Sequence, residues 1–383
     1  MKKVQDIDLK DKKVLIRCDL NVPIKNNKII DENRIRKSLK TIKYAVKEAK
    51  KVIIISHLGR IKTKDDLEKN SLKIVCDRLS ELLNEPIRFC TYDEDINSVI
   101  DENKIIMLEN TRYFDLDNNK ESNNDNALAS FFASFADVYI NDAFGVSHRI
   151  AASTTGVEKL LPSAIGFLMQ EEIDKLSELF NPTKPFSIIL GGSKVSDKIG
   201  IISNLITKAD KMIIVGAMAF TFLKAKGFNV GTSLIDKENI EYCRDLLNKY
   251  SDKIILPIDI YESDNIDSNN KTLVDINNIT KMGLDIGDKT IDNIIENIKS
   301  SKTIFVNGPA GAFENKTFEY GTKKLFEYLS NMDAKVIIGG GDSASAAINL
   351  VGEDKFYHIS TGGGASLEFL EGKQMPGLQY IGE

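Results

Sequence analysis

The chain has 383 residues, 42% hydrophobic and 28% charged, with a formal net charge of −5. One hydrophobic core stops growing at about 250–300 residues, so two domains are expected, and a mildly acidic, mixed-sign chain lacks the basic stripe of a nucleic-acid binder. Four scattered cysteines without a CxxC pair argue against a disulfide framework or a thiolate zinc cluster, and neither the charged segment Met1–Lys10 nor the near-apolar run Met212–Leu223 suits a membrane span, which points to a soluble cytoplasmic protein.

The first β-branched-rich run, Val14–Leu20, carries Arg17 and Asp19 and leads to Asn21 and Pro23; Arg34 then opens a helical pattern of Ile35, Leu39, Ile42 and Val46. The second run, Val52–His57, leads to Gly59 and Arg60, and the third, Lys104–Asn110, to Arg112. An asparagine-rich stretch, Asp115–Asn126, reads as an exposed loop, and the fourth run, Asp137–Phe144, leads to His148 and Arg149. From Leu168 to Phe180, apolar residues recur at Met169, Ile173, Leu176 and Phe180 until Pro182 and Pro185 stop them, as in a helix joining two lobes. Six further runs follow: Phe186–Gly192, Lys211–Gly216, Lys253–Ile260, Thr303–Pro309, Lys335–Gly341 and Phe356–Gly364. All ten are continuous rather than alternating, as in strands covered on both faces, and amphipathic helical patterns separate most of them. The expected fold is α/β: two doubly wound, Rossmann-like domains with mostly parallel sheets, joined by a helical hinge with a cleft between them. The expected boundaries are 1–167, a connector at 168–185, a second domain at 186–366, and a tail at 367–383.

Eight of the nine arginines precede residue 150, and 21 of the 25 glycines follow residue 190. A planar guanidinium grips carboxylate or phosphate bidentately, so arginines at four successive strand ends suit a small, multiply charged anion. Taken singly, each is more often a surface ion-pair partner than a ligand, and His57 a hydrogen-bonded residue of the sheet margin; it is their joint placement that favours the site. In the second half, Gly191, Gly192, Ser193, Lys194 and Lys198 follow a strand. With a helix starting near Ser193, the two lysines would share one face at an anion-binding N-terminus; a solvated charged face is the alternative. The spacing of a Walker loop and of a GxGxxG fingerprint is absent. Gly339, Gly340, Gly341, Asp342 and Ser343 form a second phosphate-type turn, in which Asp342 suits either Mg²⁺ or a plain helix N-cap. Asn307, Gly308, Pro309 and Glu314 form a third cluster, and Thr361 with Gly362–Gly364 a fourth.

The runs RCDLNVP from Arg17, SHLGR from Ser56, LENTR from Leu108, DAFG from Asp142 with His148 and Arg149, LGGSKVSDK from Leu190, MAFTF from Met218, GLDIG from Gly283, NGP from Asn307 and STGGGA from Ser360 resemble phosphoglycerate kinase in order and spacing. The likeness extends over residues 11–378. It implies transfer of a phosphoryl group between 1,3-bisphosphoglycerate and ADP, giving 3-phosphoglycerate and MgATP, in a monomeric glycolytic enzyme with Mg²⁺ as cofactor and neither nucleic-acid nor membrane partners. By this resemblance Asp19, Asn21, Arg34, His57, Arg60, Arg112 and Arg149 hold the glycerate and its phosphate. Gly192, Lys194, Lys198, Gly216, Gly283, Leu284, Asn307, Glu314, Gly339, Gly340, Gly341, Asp342 and Ser343 hold the nucleotide, with Asp342 at the metal. Arg34, Lys198 and Gly341 face the transferred group, and the tail returns to the first lobe.

The sequence departs from the family pattern at five places. Ala151 stands where a second histidine is usual, Ile61 where proline follows LGR, and Val306 where tryptophan often precedes the asparagine; Ala217 and Asp288 replace a glycine and a proline. None removes a charge from the expected reacting centre, so altered affinity rather than lost activity is expected. No nucleophile with a supporting base stands out, which favours direct in-line transfer without a phosphoenzyme. A kinase for another acyl phosphate and a catalytically silent nucleotide-binding module are the rival readings.

Overall fold

A computed structural model describes residues 1–382. The chain divides into two compact units, one made of Met1–Asp174 together with the residues from Gln374 onward, the other of Lys175–Lys373.

In the first unit the strands are β1 (Lys13–Cys18), the short hairpin β2 (Ile24–Lys25) and β3 (Lys28–Ile29), β4 (Lys51–Ile55), β5 (Arg88–Cys90), β6 (Ile105–Leu108), β7 (Val138–Asp142) and β8 (Ser163–Ile165). The helices are α1 (Asn33–Glu48), α2 (Asp65–Lys69), α3 (Lys73–Leu83), α4 (Ile96–Glu102), α5 (Asn126–Ala133) and α6 (Phe167–Ser177), whose last three residues belong to the second unit. Six strands form one parallel sheet in the order β5-β6-β4-β1-β7-β8. Apolar clusters cover both faces, which is why these strands read as unbroken hydrophobic runs. α1 buries Ile35, Ile42 and Ala45, the face its periodicity predicts, with Leu39 and Val46 half-buried at its edge. Residues from Gln374 dock on this unit: Gly377 N–H donates to the Ser147 carbonyl at 2.9 Å, Asn141 Nδ2 donates to the Gly377 carbonyl at 2.7 Å, and Met375 and Ile381 are buried.

The second unit contains β9 (Phe186–Leu190), α7 (Ile199–Leu205), β10 (Lys211–Ile214), α8 (Met218–Ala225), α9 (Ile240–Lys249), β11 (Ile254–Ile255), β12 (Asp259–Ser263), β13 (Thr272–Asp275), β14 (Met282–Ile286), α10 (Asp288–Ile298), β15 (Thr303–Asn307), α11 (Tyr320–Leu329), β16 (Lys335–Gly339), α12 (Gly341–Leu350), β17 (His358–Ile359) and α13 (Gly364–Leu370). Its parallel sheet runs β11-β10-β9-β15-β16-β17, beside an antiparallel sheet of order β13-β12-β14.

Three expectations are corrected. The run Lys253–Ile260 is two strands in two sheets, broken at Pro257, which has no N–H to give to a ladder. The helix expected near Ser193 begins at Ile199 after a 3₁₀ turn, Ser196–Lys198, so Lys194 and Lys198 do not share a helix face. The stretch Asp115–Asn126 is not wholly exposed, since Asp115 and Glu121 are buried.

Candidate functional site

Each unit gathers polar residues at the carboxyl ends of its parallel strands. In the first, β1 connects toward β4 on one side and β7 toward β8 on the other, so the loops after β1 and β7 diverge. Such a point in an open parallel sheet leaves a crevice for a ligand.

Arg34, in the first turn of α1, donates to both oxygens of Asp19, at 2.9 and 3.0 Å, and to the Asn21 carbonyl at 3.3 Å. Asn21 Oδ1 accepts from Gly59 N–H at 2.9 Å, and Arg112 donates to the Gly59 carbonyl, so the loops after β1, β4 and β6 are tied together. His57 is 4% exposed, with its Nδ1 3.1 Å from Arg17 Nη2. Burial first, then the positive charges of Arg17, Arg112, Arg34 and Arg149, hold its imidazole well below the ordinary histidine range. Burial and these charges together favour the neutral ring, with the Arg17 guanidinium the one in direct contact. Arg149 is exposed, as expected of a group that meets a ligand from solution. Arg60 is exposed too.

In the second unit β9 connects toward β10 and β15 toward β16, so the sheet reverses between β9 and β15. The loops leaving that pair touch through bare backbone: a Cβ on Gly191 would lie 2.1 Å from the Pro309 carbonyl oxygen, which only glycine avoids. Beside them opens a cleft of 190 Å³ lined by Gly192, Ser193, Lys194, Asp197, Lys198, Asn307, Gly308, Pro309, Gly340, Gly341, Asp342, Ser343, Gly363, Gly364 and Leu367. Gly340 caps α12 with φ 89°, turning the helix N-terminus and its unpaired N–H groups toward the cleft. Asp342 is exposed in the first turn of α12, and the N-cap is Gly340 rather than this carboxylate. Asn307 is buried, donates to the Gly339 carbonyl at 2.7 Å and accepts from Lys198 Nζ. Burial lowers the Lys198 pKa, while Asp197, Asp342 and Glu371 oppose that shift.

Of the other expected nucleotide residues, Gly216 packs behind the lining, where a Cβ would lie 2.7 Å from Gly192 N, and Gly339 supplies the carbonyl under Asn307. Gly283 and Leu284 lie on β14; the Leu284 carbonyl accepts from Ala312 N–H at 2.8 Å, two residues from exposed Glu314. Gly216, Gly283, Leu284, Glu314 and Gly339 belong to the same unit but do not line the cleft itself. Sequence reasoning also missed Glu121 and Ser153, which are buried behind Arg17. Neither carries a local signal: Glu121 sits in a polar run and Ser153 beside Ala151 and Ala152.

A model of the family described as phosphoglycerate kinase matches residues 4–373. Phosphoglycerate kinase of Fusobacterium nucleatum is 50% identical over 395 residues, covering 100% of this chain and 99% of that protein, and that of Listeria welshimeri is 47% identical over 392 residues with the same coverage. Among solved structures, phosphoglycerate kinase from Coxiella burnetii superposes with a TM-score of 0.87 at 34% identity, covering 99% of this chain and 98% of that one. That from Pyrococcus horikoshii OT3 gives 0.84 at 28%, covering 100% and 98%. The chain belongs to the phosphoglycerate kinase family, whose members are phosphotransferases with a carboxyl group as acceptor.

Proposed function

We propose that this chain catalyses the reversible in-line transfer of a phosphoryl group from 1,3-bisphosphoglycerate to MgADP, giving 3-phosphoglycerate and MgATP as a step of glycolysis. The observation that carries the reading is the cluster after β1, β4 and β6, where Arg17 lies 3.1 Å from buried His57, Arg34 holds Asp19 and Arg112 holds the Gly59 carbonyl, a set suited to an anion with both a carboxylate and a phosphate. Asp19, Asn21, Arg34, His57, Arg60, Arg112 and Arg149 would hold that anion. The glycine-lined cleft, with Lys194, Lys198, Asn307, Ser343 and the start of α12, would hold the phosphates of ADP or ATP, and Gly216, Gly283, Leu284 and Glu314 its nucleoside.

Mg²⁺ takes one or two protein carboxylates together with substrate phosphates, and exposed Asp342 beside Gly340 and Gly341 fits that donor set. Held there by Asp342 with the nucleotide, Mg²⁺ would supply neutralising charge to the phosphate oxygens. In transfer to ADP, the bond from phosphorus to the acyl oxygen breaks as one to the β-phosphate oxygen forms, leaving the carboxylate of 3-phosphoglycerate. Arg34, Lys198 and the N–H groups at Gly341 would stabilise the charge spread over the moving group. No phosphoenzyme is invoked, and a cytoplasmic monomer whose two units approach each other on binding both ligands completes the reading.

A coupled assay tests it: ATP consumption should depend on 3-phosphoglycerate and not on acetate or carbamate. Equal turnover with those smaller acids would favour a different acyl kinase, and ATP binding without turnover a silent nucleotide-binding module.

A further inference from the structure

Arg17 is among the most deeply buried side chains of the protein, at 2% exposure, and a buried cation needs a counter-charge and full hydrogen bonding. It makes no direct ion pair with Asp19, whose oxygens meet Arg34. Instead, Arg17 Nε donates to Ser153 Oγ at 3.0 Å, Nη1 to the Cys18 carbonyl, and Nη2 faces His57 Nδ1 at 3.1 Å. Ser153 has one hydroxyl proton, and it goes to Glu121 Oε1. Glu121 is 2% exposed and also accepts from Ser153 N–H at 3.0 Å and Thr111 Oγ1 at 3.1 Å. Donor and acceptor roles are fixed along this line, from guanidinium to hydroxyl to carboxylate.

The loop that delivers Glu121 is built to do so. Asn118, Asn119 and Asn124 occupy the left-handed region, with φ of 65°, 50° and 56°, which asparagine tolerates better than most residues. Asp115 fastens the loop by accepting from Ser122 N–H at 2.9 Å and Ser122 Oγ at 2.6 Å. Ser153 sits in a single π-helical turn, Ala152–Gly156, a geometry that recurs at functional sites.

At the far end of the line a guanidinium can only donate. Facing Arg17, Nδ1 of His57 must therefore accept, and its one ring proton must sit on Nε2. We propose that Glu121 is a positioning residue that, through Ser153 and Arg17, locks His57 as the neutral Nε2–H tautomer, a donor to a ligand oxygen. After burial, the charges of four cations act on this imidazole: Arg17 from β1, in contact with it, then Arg112 from the turn after β6, Arg34 from α1 and Arg149 from the segment after β7. The lock keeps a hydrogen-bond donor among them without adding a fifth charge. The inference rests on the reading of this cluster as the phosphoglycerate site only for its effect on turnover.

Nitrogen-15 NMR of the ring, with His57→Gln identifying the signals, tests the lock in the ligand-free protein. The Nε2–H tautomer is expected in the parent, and mixed tautomers in Ser153→Ala and Glu121→Gln. In those variants the KM for 3-phosphoglycerate should rise roughly tenfold, the equivalent of one charge-assisted hydrogen bond, with little change in the KM for ATP. An Nδ1–H tautomer in the parent overturns the proposal at once, even if neither variant folds. An unchanged tautomer in folded Ser153→Ala overturns the part given to Ser153 and Glu121. A shifted tautomer without response to 3-phosphoglycerate leaves the lock standing and overturns the assigned substrate.

Discussion

Lys198 shows how much a single side chain draws from its surroundings. Its ammonium donates to buried Asn307 and borders the glycine-lined cleft, already partly stripped of water. A cation held in advance acts on the charge that develops in the transition state more than on the bound nucleotide. Lys198→Ala is expected to lower kcat by about 10²-fold or more while ATP binding survives, as steady-state kinetics with a nucleotide titration would show; near-normal turnover removes the lysine from the mechanism. Lys198 is legible in the sequence because it follows an apolar run and a pair of glycines, and Arg34, His57 and Arg112 are legible in the same way. The start of its helix is not, because Ser196 N–H is held by Asp236 Oδ2 at 3.0 Å, a partner forty residues on. Glu121 is illegible for the same reason: what makes it matter is Ser153 and Arg17, distant in the chain, while its neighbours are asparagines that read as solvent-facing.

At the scale of elements, continuous apolar runs locate the central strands of both parallel sheets, whose two covered faces demand that composition. Strands at the margins escape: β5 has three residues, and β13 is exposed at Thr272, Leu273 and Asp275, so no buried face imposes a pattern. The resemblance implies that the tail returns to the first lobe, but no pattern in its own residues shows where it docks: Asn141 binds it and Glu158 as well, donating to Glu158 Oε1 at 2.9 Å. Burial pushes the Glu158 carboxyl up to about 7, against the pull of the Asn141 hydrogen bond. The folded state thus holds this proton more tightly than the unfolded chain. Its contribution to stability is full below about pH 4.5 and is lost as pH rises through about 7. Glu158→Gln, neutral at every pH, should gain on the parent by roughly 2–8 °C in melting midpoint between pH 5 and pH 8. A constant difference between the two proteins across that range would show that the proton is not there.

The whole molecule pairs a cation-rich unit with a glycine-rich one, and direct transfer requires their ligands to come within bonding distance with water excluded. Small-angle scattering should therefore give a smaller radius of gyration with both 3-phosphoglycerate and nucleotide than with neither; an unchanged radius counts against closure. The return of the residues from Gln374 to the first unit also has a consequence for synthesis. Lys175–Lys373 is, in effect, an insertion within the other unit's chain. During synthesis the second unit can be complete before the first, whose Ser147 carbonyl and Asn141 amide meet Gly377 only once the residues from Gln374 have emerged.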